Sequence, residues 1–100
     1  MAFSGGSYDD VARWLKNFLA SHAKREEPRI EVELDTDDER EGASYGARLR
    51  LEERVTPTLE FAFSDVAANR GNLAWCLALA ARIRHVAREQ LLGATITTAR

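Results

Sequence analysis

The stretch "YGARLRLEE", Tyr45 to Glu53, alternates with a period of two, which predicts a strand with Tyr45, Ala47, Leu49 and Leu51 on one side and Arg48, Arg50 and Glu52 on the other. Its upstream neighbour "RIEVELD", Arg29 to Asp35, alternates in the same way, with Ile30, Val32 and Leu34 facing inward and Arg29, Glu31 and Glu33 outward. Between them the polar run "TDDEREG" reads as a connection. Downstream, after a turn near Glu53 to Val55, "TPTLEFAF" sets Leu59, Phe61 and Phe63 against Thr58, Glu60 and Ala62, and Pro57 is tolerated at the start of an edge strand. Together the three segments predict an antiparallel meander.

Charge selects the register. A one-residue slip would turn the apolar set outward, so only slips by two remain open. Placing Glu31 opposite Arg50 also places Glu33 opposite Arg48 and Arg29 opposite Glu52, and a short second turn brings Arg50 beside Glu60. Each such pair contributes on the order of 0.2–1 kcal/mol, enough to choose among registers and too little to make the fold.

On either side of the meander the period lengthens to that of a helix. "SYDDVARWLKNFLASHAKREEP" carries Val11, Trp14, Leu15, Phe18, Leu19 and His22 in one stripe. Ser7 is placed to cap it, Asp9 and Asp10 suit the positive end of the helix dipole, Lys24 and Arg25 suit the negative end, and Pro28 stops it. After "SDVAANRGN", in which Ser64 is a candidate cap for a short turn, a second helix starts at Gly71–Asn72 and ends at Gly93. Its stripe is expected to be Leu73, Cys76, Leu77, Ala80, Ile83, Ala87 and Leu91, with Trp75, Leu79 and Val86 extending it round one flank.

The expected architecture is therefore an α+β two-layer sandwich of order α-β-β-β-α, a three-stranded antiparallel meander with both helices on its apolar face. Residues 1–6 read as a flexible leader, 7–93 as a single domain and 94–100 as a C-terminal tail. With 100 residues and 45% hydrophobic content the chain can close one small core.

The same order of elements is found in double-stranded-RNA-binding domains. In that family the phosphate contacts come from a lysine-rich start of the last helix, from the loop between the first two strands and from the first helix. Here the first of these places is "SDVAANRGN", with Arg70 its only base, and the second is the acidic "DTDDERE". The resemblance is one of element order and does not extend to the binding surface.

A net charge of −2 argues against a chain built mainly to bind nucleic acid or an anionic membrane. The charge is unevenly spread: residues 64–100 hold five arginines against two acids, net +3, and residues 1–63 hold nine bases against fourteen acids, net −5. In "AARIRHVAR" the bases Arg82, Arg84 and Arg88 do not converge on one helical row, and cations suit the C-terminal half of a helix. "DTDDERE" fails the calcium-loop template because Gly42 comes too late. His22 and His85 lack a metal-ligand spacing, and Cys76 is the only cysteine, which excludes an internal disulfide and fits a reducing, cytoplasmic setting. No phosphate loop, dinucleotide fingerprint or nucleophile elbow appears, and no cofactor is implied.

The functional expectation is a small non-enzymatic protein-interaction module, homodimeric or docking another protein, with Trp75, Leu79 and Val86 as its interface residues on the last helix. The alternative is duplex nucleic-acid backbone binding through Arg70, Arg82, Arg84 and Arg88.

Overall fold

A computed structural model describes residues 7–92; the leader, the tail and Gly93 lie outside the described residues. The fold is α+β. Helix α1 (Tyr8–Glu26) is followed by strands β1 (Glu31–Asp35), β2 (Ser44–Leu51), β3 (Arg54–Val55) and β4 (Leu59–Ala62). Helices α2 (Phe63–Asn69) and α3 (Leu73–Val86) then follow, and α3 runs on into a π-helical segment, Ala87–Leu92. The helical layer packs on the apolar face of an antiparallel sheet whose central strand is β2.

Helix α1 begins as its sequence requires. The Ser7 hydroxyl accepts the Asp10 N–H at 3.0 Å, Asp9 and Asp10 lie in the first turn, and Val11, Leu15, Leu19 and Ala23 are buried at four-residue spacing. Its first turn is tied to the sheet by two tyrosines. The Tyr8 and Tyr45 rings stack at 4.6 Å, the Tyr45 hydroxyl donates to the Tyr8 carbonyl at 2.8 Å, and the Tyr8 hydroxyl donates to the Ser44 carbonyl. Burial raises the pKa of the Tyr45 hydroxyl, which stays a neutral donor.

The β1–β2 register is the one that the charges select: Glu31 opposite Arg50 and Glu33 opposite Arg48. Arg29 Nη1 reaches Glu52 at 2.7 Å. Within that register Glu33 collects both arginines, receiving Arg50 Nε at 2.6 Å and Arg48 Nε at 3.4 Å, and the bond from Arg50 holds its carboxyl below the usual range.

The other edge departs from the simple meander. A two-residue turn, with Glu52 at φ 58°, leads into β3, which pairs Arg50 with Val55, whereas β4 pairs Ala47 with Leu59. The sum of partner numbers changes from 105 to 106 between the two, so one extra residue is accommodated: Pro57 and Thr58 together oppose Arg48. Thr56 closes the ladder at this bulge. Its N–H donates to the Leu49 carbonyl and its hydroxyl accepts the Leu49 N–H, both at 3.0 Å, which accounts for a threonine buried to 3% exposure. Strand β4 stops at Ala62, and Phe63, expected at the end of the strand, starts α2. The cap of α2 is Ala62 with no side-chain bond, so Ser64 does not cap it, and residues 70–72 separate α2 from α3.

The extra residue also changes the partner of Glu60. Arg50 lies opposite Val55, and Glu60 is instead gripped by Arg40, from the β1–β2 connection, at 2.6 and 2.9 Å. Arg40 lies 3.6 Å from Asp35 and 3.2 Å from the Ser44 hydroxyl. Its guanidinium crosses the sheet over Gly46, where a β-carbon would come within 2.7 Å of Nη2 and 3.0 Å of the Thr58 methyl. Gly46 is therefore a close-approach glycine. Gly46→Ala should destabilise the fold by about 1 kcal/mol by displacing Arg40, and should cost much less in an Arg40→Ala background. A double-mutant cycle of urea melts measures that coupling; equal costs in both backgrounds would rule the contact out.

Candidate interaction surface

Helix α3 begins with the Asn72 side chain accepting the Trp75 N–H at 3.1 Å. Its sequence, Leu73 to Ala81, holds nine residues without a charge, so polar patterning does little to fix its rotation. The rotation is set further along. Leu79, Ile83, Ala87 and Leu91 are buried at successive four-residue steps, with Ala80 beside them. In a regular α-helix such a row winds slowly round the axis, because four residues exceed one turn. The wider turns of the π-helical segment counter that drift, and Leu91 within it is fully buried.

This rotation corrects the sequence expectation in one respect. Leu73 and Leu77, expected in the core, are 73% and 61% exposed, and Leu79, expected on the flank, is a core residue at 5%. Trp75 and Val86 are half-buried and pack against the core, and Cys76 is half-buried with its thiol 3.4 Å from the Arg70 carbonyl. The exposed apolar surface of α3 therefore consists of Leu73 and Leu77 in one row, with the exposed Ala74, Ala78 and Ala81 beside it. Across from it α1 presents a row of its own, Trp14, Phe18, His22 and Glu26 at four-residue spacing. The Trp14 and Phe18 rings stack at 5.0 Å, Phe18 and His22 lie 4.5 Å apart, and Trp14 lies 6.4 Å from Trp75.

The arginines of the last helix are separated. Arg84 Nε donates to Glu26 Oε2 at 2.7 Å and Arg88 Nε lies 3.5 Å from Oε1 of the same carboxylate. Arg82 sits over the Phe61 ring, 5.6 Å from its centroid, and Arg70 follows the short helix α2 as its C-cap. Glu26 thus offsets part of the positive charge that Arg84 and Arg88 would offer a phosphate. His22, facing Arg25 and Arg84, has its pKa lowered by burial and by those two cations.

Two depressions among the described residues border these elements. One, about 230 Å³, lies between α3 and β4 and is lined by Phe61, Trp75, Ala78, Leu79 and Arg82. The other, about 670 Å³, lies beside the β2–β3 turn, and its Arg29 is engaged by Glu27 and Glu52. Among the described residues there is no group of three or more His, Cys, Asp or Glu side chains able to hold a metal ion, and no helix long and apolar enough to cross a membrane. No family model, curated protein or solved structure matches the chain.

Two outcomes test this placement. Leu79→Ala should cost about 2–5 kcal/mol, whereas Leu77→Asp should leave the thermal midpoint almost unchanged; equal losses would refute the rotation assigned to α3. His22 contributes a stability that is complete above its unfolded pKa near 6.5 and is lost as pH falls below that value, because the unfolded chain binds the proton more readily. His22→Gln should flatten the melting midpoint on the acid side of neutrality, and an unaltered pH profile would show that the histidine is not desolvated.

Proposed function

We propose that this chain is a small non-enzymatic interaction module, at work in the cytoplasm, that docks a protein partner through the outward face of α3. The observation that carries the reading is the exposure of Leu73 and Leu77 on a helix whose opposite face is fully engaged in the core. An isolated exposed leucine is ordinary, but two in one helical row, flanked by three exposed alanines, form a continuous apolar strip that small side chains leave open to close approach. The two Arg–Glu contacts that bound the strip at its C-terminal end supply a polar rim.

Magnitudes point to a modest affinity. Full burial of a leucine is worth about 1.5–3 kcal/mol, and association costs about 4–15 kcal/mol in lost freedom. Leu73 and Leu77 alone therefore barely offset that cost, and a partner must bring apolar groups of its own. The alternative reading, duplex nucleic-acid binding through Arg70, Arg82, Arg84 and Arg88, is supported by the net positive charge of residues 64–100 and weakened by the engagement of three of the four arginines within the fold.

The test is a photo-crosslinking residue placed at position 77 and, as control, at Glu53 in the β2–β3 turn, in producing cells. A discrete protein adduct from position 77 that is absent from position 53 and lost with Leu73→Asp is expected. No adduct from position 77 would overturn the reading.

A further inference from the structure

The two ends of the helical layer differ in charge. Helices α1 and α3 run in the same direction, since Trp14 meets Trp75 near one end and Glu26 meets Arg84 near the other. Near the start of α3 stand Asp9, Asp10 and Asp65 against Arg13 and Arg70, three acids and two bases, net −1. Asp65 shares the groove of Trp75, and Asp10 already binds Arg13 at 2.6 Å. Near the end of α3 stand Lys24, Arg25, Arg84 and Arg88 against Glu26 and Glu89, four bases and two acids, net +2, while Arg82 lies between the ends in the groove that also holds Asp65.

Between these ends lies the uncharged strip of Leu73, Ala74, Leu77, Ala78 and Ala81. It combines protruding leucines with adjacent alanine hollows and so carries both parts of an interlocking helix contact on one surface. A patch of that kind is self-complementary under a two-fold axis. Two such helices laid antiparallel would seat Leu73 on a partner alanine, set Leu77 against its own counterpart and bring each positive end beside a negative one. Laid parallel, they would set +2 against +2. The helix dipoles favour the antiparallel arrangement as well.

Resting on the assignment of α3 as the interaction surface, we infer that its partner is a second copy of this chain. The two α3 helices cross antiparallel about a two-fold axis near Leu77. The axis places Leu77 against its own counterpart and Leu73 against the partner's Ala81. The interface is small, so the dimer dissociates in the micromolar range and is weakened by salt.

The experiment uses the full chain carrying Cys76→Ser. Light scattering over about a hundredfold dilution from about 0.5 mM should show a dimer that gives way to monomer, and Leu77→Asp should abolish the dimer while leaving the circular dichroism melt intact. On oxidation, Leu77→Cys should form a disulfide with itself. Leu73→Cys should do so at least about tenfold less, but should cross-link readily when mixed with Ala81→Cys. A monomer at every concentration, a dimer indifferent to Leu77→Asp, or self-linking by Leu73→Cys as efficient as by Leu77→Cys would each overturn the inference. A monomer that still yields a photoadduct of foreign mass from position 77 would discard the second copy and keep α3 as a docking surface. Absence of any adduct would discard both.

Discussion

The structure depends on the pairing of β2 with neighbours on both of its edges. Its inward residues, Tyr45, Ala47, Leu49 and Leu51, all lie in the core, and its outward arginines hold Glu33 of β1. Tyr45 additionally anchors the first turn of α1 through stacking and a hydrogen bond. Eight residues thus join two edges and one helix, so the helical layer inherits its position from the sheet.

This dependence explains which parts of the molecule were legible in the sequence. Period-two alternation with opposite charges at matching offsets determines the β1–β2 register almost uniquely, and Ser7, the first-turn aspartates and the four-residue stripe determine α1. Two features of the sheet escaped. The bulge at Pro57–Thr58 shifts the last strand by one residue, and only Pro57 hinted at it; the shift transfers Glu60 from Arg50 to Arg40. Arg40 itself sits in a run of acids that reads as a solvated loop, and its role depends on Gly46, whose missing side chain is visible as a need only once the guanidinium lies over it.

The rotation of α3 escaped for a different reason. A helix apolar nearly all round has no polar face to orient it, so Leu73 and Leu77 are as plausible in the core as Leu79. The choice is made by tertiary contacts: Arg82 over Phe61, Arg84 on Glu26, and the π-helical turns that keep Leu91 inside. The surplus hydrophobicity noticed in the sequence is real, but it lies on the other flank from the one expected. The exposed apolar strip is a consequence of that single rotation.

The bulged edge also bears on how the molecule behaves when crowded. A sheet grows by adding strands to open edges, and here neither edge is a good template. On one side the ladder is interrupted at Pro57, a residue without an N–H, and β4 ends in a helix. On the other, β1 displays Glu31, Glu33 and Asp35, so an antiparallel copy of the same strand would set carboxylates against carboxylates. Fibrillar growth through the sheet is thereby discouraged from both directions.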